Sequence, residues 1–197
     1  MQIGERAVFR IQPQLAYGEK GSGKIGPNET IYFEAELLEI ESETKLDYQP
    51  EERVQKAQEW KKQANQLFKE KKYKKAKKLY DKALDYIDWE TLPGVIQLKV
   101  KLQNNLALLC MKQNLHEEAL TYCNKAIELN EKGPKSLFLK GKILRILQDF
   151  DQSKRLLKQA LKYQPGNEQI KREMDLLEKD VSKYRETKKK MFDGLFG

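Results

Sequence analysis

A pattern of small and aromatic residues that returns at a fixed interval sets the tightest limit on how this chain folds. Three segments align in one frame: Trp60, Ala64, Leu67, Tyr73, Ala76, Tyr80 and Ala83; then Ala107, Cys110, His116, Ala119, Cys123 and Ala126; then Leu137, Gly141, Leu144, Phe150, Ser153, Leu157, Ala160 and Pro165. Ala119 and Ser153 are 34 residues apart, and Ala76 and Ala119 are 43 apart, the same period with nine residues inserted. Self-similarity at such a period marks helix-turn-helix units whose apolar faces are buried only by stacking, so at least about three copies are needed. Three copies are present, which predicts a mainly α array. The insertion falls around residues 91–99, where Pro93 and Gly94 read as a break between the first two repeats.

The period, Trp60, the small residues where two helices cross and the closing Pro165 resemble the tetratricopeptide repeat. In that frame residues 54–70 form the first helix, Lys71 and Lys72 its turn, and residues 74–88 the partner helix. Pro50 followed by Glu51 and Glu52 has the character of a helix start, proline in the first turn with acids at the positive end of the dipole. After Pro165 and Gly166 a last helix begins at Asn167. Its apolar residues Ile170, Met174, Leu177, Val181, Tyr184 and Met191 step by fours and threes along one stripe, as expected of a helix that caps the third repeat. The expected organisation is residues 1–41 as a separate lobe, 42–53 as linker and helix start, 54–167 as three repeats, and 168–197 as capping helix and basic tail.

Residues 1–41 have a different texture. Residues 7–11 and 31–38 are short β-branched or aromatic runs, so two strands are expected, with Pro13, Gly18, Gly21, Gly23, Gly26 and Pro27 between them in a turn-rich loop. Two strands around such a loop bury too little to be stable alone. Gly4-Glu5-Arg6-Ala7, Ile11-Gln12-Pro13, Leu15-Ala16-Tyr17-Gly18, Ile25-Gly26-Pro27-Asn28 and the run from Phe33 through Leu38 resemble, in order and spacing, the last third of the FKBP-type peptidyl-prolyl cis-trans isomerase domain. Gly26 departs from the usual proline. The resemblance implies that Tyr17 supplies a hydroxyl donor, Ile25 a backbone donor and Phe33 an apolar wall to one side of a pocket in which an X-Pro amide twists over a barrier of about 18–20 kcal/mol. The aromatic floor of that pocket would come from sequence before Met1, so the chain is expected to be a fragment or short form and to lack isomerase activity by itself. An FKBP-type domain followed by three repeats resembles the larger immunophilins. Gln97-Leu98-Lys99-Val100-Lys101, Asn104-Asn105-Leu106-Ala107 and Leu137-Phe138-Leu139-Lys140-Gly141 are most similar to the membrane-anchored member of that group, without its anchor.

The net charge of +8 invites a nucleic-acid reading. Glu51, Glu52, Glu59, Glu70, Asp81 and Asp85 are interleaved with the bases, however, as on solvated helix faces, and no nucleic-acid partner is expected. No run of about 18 apolar residues and no signal-like N-terminus occurs, which points to a cytoplasmic protein without a membrane span. Cys110 and Cys123 occupy matching core positions and read as small buried hydrophobes rather than a disulfide. His116, the one histidine, stands where Tyr73 and Phe150 stand in the other repeats, so core packing is expected and no metal or cofactor. Lys188-Lys189-Lys190-Met191-Phe192 is a candidate contact for calmodulin or an acidic surface, set against the plainer alternative of a solvated helix end.

Repeats of this type that receive the acidic C-terminal tails of heat-shock chaperones use a carboxylate clamp of two lysines, two asparagines and an arginine. The sequence resembles that pattern at Lys61, Asn65, Asn105 and Lys135, with Leu139 in place of the arginine. Spacings of four put Lys61 with Asn65, and Lys135 with Leu139, on one helical face. Asn105 interrupts an apolar run of Leu102, Leu106, Leu108 and Leu109, and a polar group there needs a partner. Three functions are therefore weighed: a co-chaperone adaptor, an FKBP-type isomerase of which this chain is part, and a general interaction scaffold. Loss of a cation at Leu139 predicts a weakened clamp.

Overall fold

Proline opens the first helix of every repeat. In the computed structural model, which describes residues 5–36 and 48–196, α1 (Pro50–Lys69), α3 (Pro93–Lys112) and α5 (Pro134–Ile146) each begin at a proline. A proline costs nothing there, because the first N–H of a helix has no intrahelical acceptor and the fixed φ is already helical. The partner helices α2 (Tyr73–Tyr86), α4 (His116–Leu129) and α6 (Phe150–Tyr163) each begin at the aromatic position of the repeat. A long seventh helix, α7 (Glu168–Phe196), follows.

The turns inside the three pairs are alike. Lys71, Asn114 and Gln148 have φ of 59°, 61° and 64°. The next residue in each case donates back across the helix end: Lys72 N to Leu67 O, Leu115 N to Cys110 O and Asp149 N to Leu144 O, all at 2.9 Å. This is the C-terminal closure that usually carries glycine, because a left-handed residue with a Cβ is strained. The three positions repeat with the same intervals as the sequence pattern.

The nine inserted residues behave differently from expectation. Pro93 starts a helix rather than breaking the chain. The connection from α2 to α3 is six residues against four from α4 to α5, and α3 has 20 residues against 13 in α5, which accounts for the insertion. The added turns are helical because Val95 and Leu98 find buried places in the core, as does Ile87 in the connection. Arg53 on α1 holds that connection, donating to Glu90 at 2.7 Å and to the Tyr48 carbonyl at 3.0 Å, with its guanidinium 5.0 Å from the Trp89 ring centre.

Small residues let the paired helices approach. Ala57, Ala64, Ala76, Ala83, Ala107 and Ala119 are all fully buried in one core that also holds Leu102, Leu106 and Leu109. In the third pair a Cβ at Gly141 would lie 2.9 Å from Leu157 Cγ, and Ser153 Oγ donates to the Gly141 carbonyl at 2.8 Å. A second core joins α5, α6 and α7 through Leu137, Leu157, Ala160, Ile170 and Leu177, so α7 caps the third pair. Asn167 accepts from the N–H groups of Gln169 and Ile170 and starts that helix. Arg145 pins it, donating to the buried Glu173 at 2.7 Å and pairing with Asp180. The apolar stripe is buried only through Val181: Tyr184 rests against Phe150 with ring centres 5.5 Å apart, and Met191, expected in the same seam, is 63% exposed. Among the described residues no helix is long and apolar enough to cross a membrane.

Met1–Asp47 and Tyr48–Gly197 are separate units. In the first, β1 (Arg6–Ile11) pairs antiparallel with β2 (Ile31–Glu36), Phe9 opposite Phe33. Alternation puts Ala7, Phe9, Ile11, Ile31, Phe33 and Ala35 on one face and the charged residues on the other. Gly21, at φ 64°, turns the loop where a Cβ would lie 2.4 Å from the Ile25 carbonyl. The end of the expected second strand and residues 42–47 of the expected linker lie outside the described residues.

Two outcomes follow from this architecture. Lys71→Gly and Gln148→Gly relieve left-handed strain and raise stability by up to about 1 kcal/mol, while Asn114→Gly is nearly neutral because asparagine tolerates that conformation; urea unfolding of the three variants measures the difference. Cys110 and Cys123 are free and buried, and burial pushes their thiols up to about 11 and about 12. Both therefore stay unlabelled by a thiol reagent at neutral pH until the chain is unfolded, which mass spectrometry with and without denaturant checks.

Candidate functional site

The first helices of the three pairs carry the expected clamp residues. On α1, Lys61, Asn65 and Lys69 recur every four residues and so share a face. Asn105 on α3 finds the partner its apolar surroundings demand: its Nδ2 donates to Asn65 Oδ1 at 3.1 Å. The same oxygen accepts from the Tyr80 hydroxyl at 2.7 Å. Tyr80, on α2, is only 2% exposed, and burial raises its hydroxyl to about 12, so it stays a donor at any physiological pH. With its oxygen taken twice, the Asn65 amide has its NH2 group left to offer.

Asn65, Phe68, Lys69, Tyr80, Asn105 and Leu108 line a cleft of about 320 Å³. Leu108 also borders a second cleft of about 330 Å³, formed by Pro134, Lys135, Phe138 and Leu139 of α5 with Gln164, Asn167, Gln169 and Ile170. The two clefts are thus neighbours through Leu108, and each combines an apolar wall with amide side chains and one lysine. Lys135 is exposed, yet the surrounding protein desolvates its ammonium and lowers its pKa. Leu139 is 3% exposed, belongs to the main core and presents an edge to the second cleft. Lys61 lies one turn before Asn65 and lines neither cleft.

Two contributors escaped the sequence. Lys69 carried a signal, since it continues the spacing of Lys61 and Asn65; Tyr80 looked like a repeat-framework aromatic, and nothing in the sequence tells that its hydroxyl reaches Asn65. Lys61, Lys69 and Lys135 form no ion pair among the described residues, whereas Lys72, Lys77, Lys142 and Lys171 each find a carboxylate. Unpaired cations beside outward amide donors suit an anion.

In the other unit, Tyr17 and Phe33 are 51% and 56% exposed. The Ile25 N–H donates to the Ser22 carbonyl at 3.0 Å, so that backbone donor is engaged within its own loop. The lysines at 188–190 form an exposed helix end, Lys188 lying over the Tyr184 ring; neither this geometry nor the relatives below support calmodulin.

Residues 1–38 match the FKBP-type peptidyl-prolyl cis-trans isomerase family, and residues 100–132 and 134–167 each match the tetratricopeptide repeat. A peptidyl-prolyl cis-trans isomerase FKBP42 of Arabidopsis thaliana is 29% identical over 214 residues, covering 100% of this chain and 58% of that protein. The chain spans about half the length of the curated relatives it matches. A multi-domain immunophilin from Arabidopsis thaliana superposes with a TM-score of 0.56 at 28% identity, over 81% of this chain and 68% of that one. The second TPR domain of human RPAP3, solved in complex with the HSP70 peptide SGPTIEEVD, superposes with a TM-score of 0.54 at 23% identity, over 66% and 98%. This chain thus carries part of an FKBP-type isomerase domain followed by a tetratricopeptide-repeat array, and the proteins it is similar to over that span include FKBP-type isomerases and a multi-domain immunophilin.

Proposed function

We propose that the repeat array is a co-chaperone adaptor that takes the acidic C-terminal tail of a heat-shock chaperone against α1, α3 and α5, in the cytoplasm. The observation that carries this reading is the Asn65 and Asn105 pair, buttressed by Tyr80 and set among Lys61, Lys69 and Lys135, which have no acidic partners among the described residues. A terminal carboxylate has two oxygens with about four acceptor sites, and amide and ammonium donors converging on it make charge-assisted hydrogen bonds, stronger than neutral ones. The shared fold with a domain solved on such a peptide supports the same reading. Leu139 gives the α5 side of the groove an apolar wall where a second cation would strengthen the grip.

The FKBP-type match over residues 1–38 favours a second reading for the whole family protein, prolyl isomerisation, with Tyr17, Ile25 and Phe33 on one side of the pocket. The array is then the part that delivers that activity to chaperone clients. A plain interaction scaffold is the third possibility, and it differs from the first in showing no preference for a free C-terminus.

Calorimetric titration with SGPTIEEVD and with its C-terminally amidated form tests the adaptor reading. The free acid binds more tightly, and Lys61→Ala, Asn65→Ala, Asn105→Ala and Lys135→Ala each weaken it by about tenfold or more, since a hydrogen bond to a charged group contributes roughly 1.5–3 kcal/mol. Lys69→Ala weakens it in the same direction. Leu139→Arg strengthens binding by about tenfold, its long stem replacing the leucine while the guanidinium leaves through the adjoining cleft. Equal binding of the acid and the amide refutes the clamp and leaves the scaffold.

A further inference from the structure

Recognition of an anion by an asparagine requires that the amide present NH2 rather than oxygen, and the two orientations have nearly the same shape. Something must choose between them. For Asn65 the choice is visible behind the groove: its oxygen faces inward, accepting from Tyr80 and from Asn105. Asn105 alone would not decide the matter, because both amides turned over together still make one hydrogen bond between them. The phenol cannot follow such a change. Tyr80 is almost fully buried, and Asn65 Oδ1 is the one hydrogen-bond acceptor of its hydroxyl among the described residues. A reversed Asn65 would set its NH2 against the phenol and give up that 2.7 Å bond, leaving the hydroxyl only the neighbouring Asn105 amide as an alternative partner.

We propose that Tyr80 is a positioning residue for anion recognition: by holding Asn65 Oδ1 from the core side it fixes the amide with its NH2 toward the groove, so that the groove selects a carboxylate. Tyr80 borders the first cleft but, at 2% exposed, offers almost no surface to a ligand. It sits in the second helix of its pair, behind the first, and acts through Asn65. Removing only its oxygen leaves the Asn65 and Asn105 pair free to exchange orientation. In the reversed state the groove offers a carbonyl oxygen to the incoming carboxylate and repels it. The proposal rests on the tail-binding reading above and adds the origin of its selectivity.

The test uses the full chain and two probes, SGPTIEEVD and its C-terminal amide. Tyr80→Phe keeps the ring and the helical far-ultraviolet spectrum, weakens the acid peptide by about three- to tenfold, and leaves the amidated peptide unchanged. In an Asn65→Ala background Tyr80→Phe adds nothing further, because the residue through which it acts is gone; a general packing defect would instead add. Acid binding that is unchanged in Tyr80→Phe, a loss shared equally by both peptides, or an additive loss in the Asn65→Ala background each overturns the proposal while the clamp reading stands. A wild-type chain that binds both peptides equally overturns the clamp reading and this proposal with it. Side-chain amide resonances of Asn65 in the wild-type chain provide a second measurement independent of the variant: they shift on adding the acid peptide, and the absence of any shift in a chain that binds that peptide overturns the proposal.

Discussion

Each helix pair in the array closes on residues too small to hold two backbones apart, and the rest of the structure depends on that closeness. Alanines do this in the first two pairs, and Gly141 does it in the third, where Leu157 fills the space a side chain would need. Close approach brings α2 near enough to α1 for a phenol on one to reach an amide on the other. It also sets the spacing of α1, α3 and α5, and so the width of the surface they share. The groove is a by-product of packing behind it, which is why its donors are held by core residues rather than by one another alone.

The charge pattern has a similar logic. The chain is strongly basic, and most of its structural ion pairs serve to tie elements together: Arg53 with Glu90 across the first connection, Lys77 with Glu118 between α2 and α4, Arg145 with Glu173 between α5 and α7. Glu118 is held below the usual carboxylate range first by its hydrogen bond to Lys77. Like most lysines of the chain, those at 61, 69 and 135 have no such partner among the described residues, and Lys69 and Lys135 differ in lining the two clefts. Leaving cations unpaired costs a folded chain something in self-repulsion, and the arrangement makes sense where an anion completes it.

Much of the array was legible in the sequence because a period of 34 forces small residues to recur at helix crossings, and the frame they define puts Asn65, Asn105 and Lys135 on the first helices of the three pairs, where the structure has them. The insertion around residues 91–99 was given the wrong form for a specific reason. Proline ends helices and also begins them, and Pro93 was read by the first property when the second applied, since Val95 and Leu98 beyond it had buried sites to fill. The seam of α7 was overextended because periodicity does not say where the partner surface stops; it stops near Phe150. Leu139 looked like a groove residue and proved to be shared between groove and core, a distinction that depends on the depth of the neighbouring side chains. In the strand pair, alternation showed two faces, and the pairing of Phe9 with Phe33 settled which residues share the apolar one.

The longer α3 has a consequence of its own. Extra residues in this array did not swell into a loop on the groove side; they lengthened a helix at its outer end and were tied down there by Arg53 and Glu90. Growth of that kind runs along the axis of α3, away from the stretch that carries Asn105 and Leu108. The architecture thus behaves like a ladder in which one rung can overhang its rail while the spacing between rungs, and whatever is gripped between them, stays the same.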